Sequence, residues 1–312
     1  LREYFGKQRE RVTHRVAEAG PGELLGFYWA TRDRWRPDLA SCSLYVSPEQ
    51  RGRGIGRRLY ADLLEAMQAA QIGRLRVSIK DTDPEARSFA ERRGFREHTR
   101  SLAMSLDLAA FDDRPYDAVI ARLQAEGFEF TSMAALGNTE DAQRRLYLLN
   151  ETAAMQTLGA DGVPAWGTFE EFQRSVCQSD WYRPEGQLVV IDTATGVWAA
   201  MSAITRFDDY AYNLFTGVDG RYRGRKLAQA VKVLALRFAR DILGVNTVRT
   251  HHNSQNAPMI AIDRKFGYVE TSGITEFEKV LNEHKPQSTR PEAHPLLEQP
   301  TLRTPRLLLR PF

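Results

Sequence analysis

Four arginines and three glycines between residues 51 and 58 form the part of the sequence best suited to chemistry. Glycine permits tight turns that leave backbone N–H groups uncovered, and arginine carries fork-shaped donors that match phosphate oxygens. This composition predicts a site for a phosphate-bearing ligand, and we call residues 51–56 the first cradle. The residues follow one another as Arg51, Gly52, Arg53, Gly54, Ile55, Gly56, Arg57 and Arg58.

Two secondary-structure elements must position the first cradle. Residues 44–46 are β-favouring, and the strand ends at Pro48 because proline has no N–H to donate. Apolar residues recur at helical spacing from Ile55 through Leu59 and Leu63, so a helix begins within the glycines. The first N–H groups of a helix lack intrahelical partners, and the helix dipole favours an anion there. Strand, glycine turn and basic helix start together predict a phosphate cradle.

The same pattern occurs a second time in the chain. Residues 218–228 align without gaps with residues 46–56 at an offset of 172, and we call 223–228 the second cradle. Farther along, residues 92–98 match residues 264–270, with Gly94 over Gly267 at an offset of 173. Ordered matches at one long period indicate a duplicated domain, because solenoid repeats are much shorter.

Length and composition narrow the class of protein. A chain of 312 residues predicts two domains, and 42% hydrophobic with 27% charged residues is ordinary for a globular protein. The net charge of +3 is too small to indicate a nucleic-acid binder. Cys42 and Cys177 form neither a disulfide framework nor a metal-ligand set, and no apolar run approaches the about 18 residues of a membrane span. We expect a cytoplasmic protein without a metal, membrane or nucleic-acid partner.

Two familiar phosphate motifs do not fit the first cradle. A P-loop needs Lys-Ser/Thr after its glycines, and the dinucleotide fingerprint needs a glycine where Arg57 stands. The pattern Arg51-x-x-Gly54-x-Gly56 after a strand resembles the acyl-CoA signature of the GNAT superfamily of N-acetyltransferases. In that family the loop amides hold the CoA pyrophosphate, and the preceding strand separates from its neighbour to hold the pantetheine arm.

The resemblance spans residues 1–280 and implies an α/β (α+β) fold of two tandem GNAT domains, similar to mycothiol-synthase-like fusions. Each domain would be a mixed, mostly antiparallel twisted sheet flanked by helices. The predicted division is an N-terminal domain at 1–110, a C-terminal domain at 111–283, and a proline-rich linker with a final strand at 284–312. Compared with the family, we expect the first half to open as a helix over 1–11, without the family's first strand and helix ahead of it.

The end of the chain holds a candidate for the missing strand. Residues 301–311 are rich in β-compatible leucines and resemble the first strand of the GNAT subfamily that acetylates ribosomal-protein termini. One hypothesis is that this segment pairs beside residues 12–19 and completes the first sheet in permuted order. The rival hypothesis is that it begins a truncated third domain.

The resemblance also implies which residues hold acetyl-CoA, the expected co-substrate. Family members bind it through the loop and through the strand before it, whose backbone directs an N–H at the thioester carbonyl. In the second half Lys226 stands at the central glycine position. The implied cofactor-binding residues are Val46, Arg51, Gly52, Arg53, Gly54, Ile55, Gly56, Arg57, Val218, Arg223, Gly224, Arg225, Lys226, Leu227, Ala228, Asn253 and Asn256.

The reaction that the resemblance implies is direct attack of a primary amine on the acetyl thioester in a ternary complex. The tyrosine acid of the family is replaced by Ala90 in the first half and by Asp263 in the second. Candidate catalytic residues are His252 and Tyr212, and His251 is a further candidate base; a turn histidine bound to a carbonyl is the structural alternative. Because these polar candidates gather in the second half, we expect the chemistry there.

Three classes of function fit the sequence to different degrees. The first is an acetyl-CoA-dependent N-acetyltransferase, acting as a monomer or homodimer on a small-molecule or peptide amine. The second is an acyl-CoA-binding protein with one or both halves inactive, which a turnover assay would distinguish. The third is a nucleotide or nucleic-acid binder, which would show steeply salt-dependent affinity for polynucleotide.

Overall fold

The computed structural model of the chain describes residues 12–20, 22–156, 165–281, 302–304 and 307–310. The chain forms two compact units: unit 1 consists of Leu1–Thr99 with Ile274–Phe312, and unit 2 consists of Arg100–Gly273. The helix predicted for residues 1–11 and the linker at 284–300 lie outside the described residues. No helix in the described ranges is both long and apolar enough to cross a membrane.

Unit 1 is a mixed sheet with two described helices packed on it. The sheet is antiparallel except for one parallel pair, formed by the third and fourth strands. Its elements are β1 (Val12–Glu18), β2 (Leu24–Arg32), β3 (Leu39–Val46), α1 (Ile55–Ala69), β4 (Arg74–Lys80), α2 (Pro84–Glu91), β12 (Ile274–Val280), β13 (Leu302–Thr304) and β14 (Leu307–Arg310). The strand order is β13-β14-β1-β2-β3-β4-β12.

Local sequence explains the two helices of unit 1. Helix α1 buries the apolar stripe that begins with Ile55 and Leu59, and this stripe packs in a core with residues of the sheet such as Leu75. Helix α2 begins where the Asp83 side chain accepts a hydrogen bond from the Ala86 N–H at 2.9 Å, with Pro84 at the first helical position. Burial therefore fixes the face of α1, and a cap fixes the start of α2.

Unit 2 is a second mixed sheet with helices on both faces. Strand β5 (Arg96–Asp107) contributes its residues from Arg100 onward. The other elements are α3 (Asp117–Ala125), β6 (Phe128–Ser132), α4 (Glu140–Met155), α5 (Phe169–Phe172) with a π-helical turn at Gln173–Cys177, β7 (Gln187–Asp192), β8 (Val197–Phe207), β9 (Tyr210–Val218), α6 (Leu227–Asp241), β10 (Thr247–Asn253), α7 (Ala257–Phe266) and β11 (Val269–Glu270). The strand order is β5-β10-β9-β8-β7-β6, with β11 beside β5.

The two faces of the unit 2 sheet bury separate cores. On one face α6 packs against strands β7, β8 and β9, and most of its circumference is buried. On the other face α4 and α5 pack through Leu146, Leu149 and Phe172 against residues such as Val189 and Met201. The sheet is therefore the shared layer, and β9 and β10 form its parallel pair.

The sheet of each unit includes the terminal strand of the other sequence repeat. In unit 1, β12 pairs with β4 along all seven residues, from Ile274 opposite Lys80 to Val280 opposite Arg74. In unit 2, residues 101–107 of β5 pair with β10. The predicted halves, 1–110 and 111–283, differ from the compact units by these strands, and the predicted boundaries stay predictions.

Opposite charges hold β12 in register on β4. The guanidinium of Arg76 lies 3.0 Å from the Glu278 carboxylate, which is the residue directly opposite it, and 3.7 Å from Glu276. Arg74 reaches Glu278 at 3.5 Å. Cross-strand pairs of opposite charge stabilise an antiparallel ladder, whereas like charges destabilise it.

The end of the chain adds two strands at the other edge of unit 1. Strand β14 pairs antiparallel with β1, with Val16 opposite Arg310 and Glu18 opposite Leu308, and β13 pairs with β14. This is the edge at which residues 12–19 were expected to receive a strand. The domain assignment of the segment, as completion of the first sheet or start of another domain, stays a prediction.

We predict that Glu278→Arg lowers the free energy of unfolding by about 1 kcal/mol, because it places like charges opposite each other. The swapped variant Arg76→Glu with Glu278→Arg should recover most of that loss, since it restores a pair of opposite charges at the same register. Urea unfolding followed by circular dichroism measures both. Equal losses in the single and swapped variants would show that the pair does not hold β12 on β4.

Candidate functional site

The first cradle turns through two left-handed glycines into a helix. Gly52 and Gly54 have φ of +76° and +82°, conformations that favour glycine. Gly54 is the N-cap of α1, and no side chain caps that helix. The first N–H groups of α1 are therefore available to an external acceptor, as an anion site requires.

A cleft opens where the two parallel strands of unit 1 separate. Strands β3 and β4 are paired only from Leu39 opposite Arg74 to Cys42 opposite Val77. Beyond that point a cleft of about 950 Å³ runs between residues 43–46 and 78–80 to the first cradle. Its walls include Tyr45, Val46, Arg51, Gly54, Gly56, Tyr60, Ile79, Lys80 and Ala90.

The arginines of the first cradle are placed differently around this cleft. Arg51 forms an exposed ion pair with Glu85 at 2.8 Å, and its Nε lies 3.4 Å from the Val46 carbonyl. Arg57 lines the cleft, whereas Arg53 is exposed on the loop. The predicted residues 46 and 51–57 thus form one continuous loop and helix start at the mouth of the cleft.

The second cradle has the same backbone as the first, although a lysine replaces a glycine. Gly224 and Lys226 have φ of +80° and +71°, which match Gly52 and Gly54. Lys226 is the exposed N-cap of α6, again without a side-chain cap. Nearby, Arg223 donates to the Gln156 carbonyl at 3.3 Å. A lysine at this position therefore preserves the loop conformation.

The parallel pair of unit 2 separates earlier than that of unit 1. Strands β9 and β10 are paired only at Ala211 opposite Val248 and Tyr212 opposite Arg249. On the other side of β9 the register shifts, because Ile204 faces Asn213 while Ala203 faces Phe215. This β-bulge adds an extra residue to β9 beside the point of separation. Bulges re-aim side chains and are over-represented next to active sites.

Three predicted residues of unit 2 lie beyond the point where β9 and β10 separate. Val218 ends β9 before the cradle, and Asn253 ends β10, where its side chain accepts from the Gln255 N–H at 2.9 Å. Asn256 precedes α7, but its side chain does not cap that helix. The two asparagines therefore shape the turn between β10 and α7.

A buried polar network in unit 2 was not predicted from the sequence. Lys232 and Asp263 are both fully buried, with Nζ and Oδ1 2.5 Å apart, and His252 Nε2 lies 2.6 Å from Oδ2. Burial lowers the pKa of Lys232 below its ordinary value, against the opposing effect of the Asp263 carboxylate. A signal was present, since Lys232 interrupts the apolar run of α6 between Val231 and Val233.

The equivalent positions in unit 1 are apolar or phenolic. By the two sequence offsets, Tyr60, Ile79 and Ala90 correspond to Lys232, His252 and Asp263, and all three line the cleft of unit 1. Lys279 donates to the Tyr60 hydroxyl at 2.9 Å. The two units thus share a backbone plan but place different chemistry behind it.

The other predicted catalytic residue, Tyr212, meets the neighbouring histidine. Its hydroxyl forms a hydrogen bond with Nδ1 of His251. Partial burial raises the pKa of Tyr212 and lowers that of His251, in both cases because it disfavours the charged form. The structure therefore does not bring Tyr212 to His252. In the described part of the chain, no group of three or more His, Cys, Asp or Glu side chains could hold a metal ion.

We predict that Asp263→Ala lowers the free energy of unfolding of unit 2 by about 3–5 kcal/mol, because it leaves the buried Lys232 without its counter-charge. The double variant Lys232→Leu with Asp263→Leu should lose less, since it buries no charge. Denaturant unfolding compares the two variants. If the double variant were the less stable, the network would stabilise the fold beyond neutralising its own charges.

We predict that His251 makes unit 2 less stable at acidic pH. Its pKa is lowered in the folded protein, so the unfolded chain binds the proton more readily as the pH falls through about 6.5. The free energy of unfolding is therefore unaffected by this histidine well above that pH and decreases as the pH falls below it. Across this pH range, the melting temperature of His251→Gln should fall less than that of the unchanged protein. An unaltered pH dependence would mean that another group is responsible.

Comparisons with known proteins find similar sequences among acetyltransferases. Residues 1–95 match the acetyltransferase (GNAT) family. Over 273 residues the chain is 26% identical to the mycothiol acetyltransferase of Thermobifida fusca, covering 84% of this chain and 80% of that protein. Over 94 residues it is 35% identical to the phosphinothricin N-acetyltransferase of Streptomyces coelicolor, covering 29% of this chain and 53% of that protein.

A solved structure extends the likeness to the whole fold. A tandem GNAT protein from the clavulanic acid biosynthesis pathway, solved without AcCoA, superimposes with a TM-score of 0.62 at 20% sequence identity. The match covers 88% of this chain and 85% of that one. Residues 1–95 are thus similar to the acetyltransferase (GNAT) family, and the fold of the whole chain is similar to that of a tandem GNAT protein.

Proposed function

We propose that this chain transfers the acetyl group of acetyl-CoA to a primary amine by direct attack in a ternary complex. The observation that carries the proposal is that a parallel strand pair separates beside a basic helix start in both units. Such a pair exposes unpaired backbone groups next to an anion site. An elongated ligand could place a phosphate on the anion site and hydrogen-bond the unpaired backbone groups with amides along its arm.

The cofactor is proposed to bind with its pyrophosphate on the cradle. In unit 1 the N–H groups that begin α1 and the guanidinium of Arg51 would hold the phosphates. The unpaired backbone of residues 43–46 would hydrogen-bond the pantetheine amides within the cleft. In unit 2 the equivalent contacts would come from Arg223, the start of α6 and the backbone before Val218.

The reaction needs a base for the amine, a donor for the carbonyl oxygen and an acid for the departing sulfur. We propose that His252 and Tyr212 take part in these proton transfers and that unit 2 carries the chemistry. The supporting observations are the β9 bulge and the two histidines at the end of β10. Among the described residues, no histidine lines the cleft of unit 1, and by sequence offset the buried Ala90 corresponds to Asp263.

The acceptor is proposed to be a small-molecule or peptide amine. The names of two relatives, mycothiol acetyltransferase and phosphinothricin N-acetyltransferase, support a small molecule. A panel of primary amines, each assayed for release of the CoA thiol from acetyl-CoA, tests the activity. A cytoplasmic monomer or homodimer remains the expected form of the protein.

The alternative function is an acyl-CoA-binding protein with one or both units inactive. Ala90 in unit 1 favours it, because no proton donor stands at that position, and so does Lys226 in unit 2, which replaces the central glycine. If the protein binds acetyl-CoA but releases no thiol with any amine, this alternative replaces the transferase. Binding and turnover therefore have to be measured on the same preparation.

We predict that Gly54→Val weakens CoA binding to unit 1 by about tenfold or more. A side chain at Gly54 would meet nothing within 4 Å, so the effect comes from φ of +82°, which β-branched residues avoid. Gly54→Asn is the matched control, because asparagine tolerates that conformation. Calorimetry in an Arg223→Ala background measures the affinity.

Arg51→Ala should also weaken CoA binding in that background, by about 1.5–3 kcal/mol for one charge-assisted phosphate contact. Unchanged CoA affinity in both Gly54→Val and Arg51→Ala would show that the cofactor does not bind on the first cradle. Loss in Gly54→Asn equal to that in Gly54→Val would mean that any side chain at this position blocks the phosphates.

A further inference from the structure

Two adjacent histidines near the end of β10 lie on opposite faces of the unit 2 sheet. Successive side chains of a strand point to opposite faces, so His251 and His252 cannot contact the same groups. The contacts agree, since His251 meets Tyr212 of β9 while His252 meets Asp263 of α7. Both histidines stand beyond Arg249, the last residue of β10 that is paired with β9.

The face of His252 is the face of the second cradle. The cradle begins α6, and α6 carries Lys232, which forms the ion pair with the same carboxylate that His252 contacts. A cofactor with its phosphates on the cradle would approach β9 and β10 from this side. Its sulfur would then stand nearer to His252 than to His251.

The Asp263 carboxylate orients the ring of His252. Its Oδ2 lies 2.6 Å from Nε2, within hydrogen-bond distance. This contact leaves the other ring nitrogen, Nδ1, to exchange a proton with a ligand. The Lys232 ammonium contacts the other carboxylate oxygen, Oδ1. Because both side chains are fully buried, this ion pair fixes the position of the carboxylate.

The opposite face offers a different arrangement. Tyr212 engages Nδ1 of His251, and in the tautomer in which Nδ1–H donates to the hydroxyl, the lone pair of Nε2 faces outward. Arg249 lies on the same face, with its guanidinium 4.1 Å from the ring centre of Tyr210. Part of the His251 side chain remains exposed beside its buried part, so a second substrate can reach it.

We propose that the two histidines divide the proton transfers of the reaction between the two faces of the sheet. His252 is the acid that protonates the CoA sulfur, His251 is the base that takes the proton of the amine, and Asp263 is a positioning residue. This inference rests on the transferase function proposed above and on its location in unit 2.

The proposed step is balanced in atoms and electrons. The lone pair of the unprotonated amine forms the nitrogen–carbon bond, and the carbon–sulfur bond breaks with its electron pair going to sulfur. The amine proton moves to Nε2 of His251, and the Nδ1 proton of His252 imidazolium moves to sulfur. His251 then returns its proton to solvent and His252 takes one up, so each turnover of unprotonated amine consumes no net proton.

The charged and titratable groups around each histidine differ. His252 contacts Asp263 on α7, and the same carboxylate pairs with Lys232 on α6, whose ammonium lies 5.1 Å from the ring centre of the buried Tyr268. On the face of His251 the groups are Tyr212 and Tyr210 on β9 and Arg249 on β10. The pKa of His251 is lowered by partial burial and by His252, which keeps its ring neutral and available as a base near neutral pH.

The test is the dependence of kcat on pH for the amine that the thiol-release panel identifies. His251→Gln should lose the limb on which kcat rises with pH, because a base must be unprotonated. His252→Gln should lose the limb on which kcat falls, because an acid must be protonated. General acid–base groups contribute about 10²–10⁴-fold, so each variant should lose turnover of that order. His98→Gln, at an exposed position of unit 1, is the matched control and should retain both limbs.

Asp263→Asn supplies an independent readout of positioning. It should shift the falling limb of the pH profile and reduce kcat more than it raises KM, while His251 still supplies the rising limb. Where this variant fails to fold by circular dichroism, the two histidine variants decide the question, since both keep the buried ion pair of Lys232 and Asp263.

The outcomes separate this inference from the function on which it rests. An unchanged protein that releases no thiol with any amine overturns the transferase proposal itself. Turnover that survives both histidine substitutions with both limbs intact overturns only the division of roles. Loss of the same limb of the pH profile in both variants also overturns the division of roles, because it would assign one role to both histidines.

Discussion

The separation of two parallel strands is the constraint on which the rest of each unit depends. Once β3 leaves β4, or β9 leaves β10, the backbone N–H and C=O groups of the inner edges lose their backbone partners on the facing strand. The Asn213 carbonyl, for example, accepts from the Thr250 hydroxyl at 3.0 Å instead. Unpaired backbone groups are costly unless water or a ligand satisfies them. Placing a glycine turn and an uncapped helix start at the end of the same strand gathers these unsatisfied groups into one binding surface.

Duplication has kept this backbone plan while changing the side chains behind it. The cradles share their left-handed conformations even where Lys226 replaces Gly54. Behind the cradles, a phenol and two apolar side chains in unit 1 correspond in sequence to a buried lysine, a half-buried histidine and a buried aspartate in unit 2. Unit 1 thus keeps a cleft lined by a phenol and apolar side chains, whereas unit 2 carries titratable groups at the equivalent positions.

Much of the fold could be predicted because its signals are local. The glycine and arginine spacing located both cradles, and the cap formed by Asp83 and Pro84 located the start of α2. The exchange of β5 and β12 could not be predicted, because a terminal strand has the same alternating pattern whichever sheet it joins. The bulge in β9 and the partners of His252 also depend on tertiary contacts that residue spacing does not encode. The position of Lys232 within an apolar helix did, however, carry a readable signal.

The strand exchange also bears on how the chain is made. During synthesis, the central strands and both described helices of unit 1 emerge long before residues 274–280 leave the ribosome. The edge of β4 that pairs with β12 therefore stays unpaired until most of the chain has been made. An unpaired strand edge is prone to associate with other chains. Arg74, Arg76 and Lys80 on this strand carry positive charge, which opposes pairing with a second copy of the same edge until the acidic partners on β12 arrive.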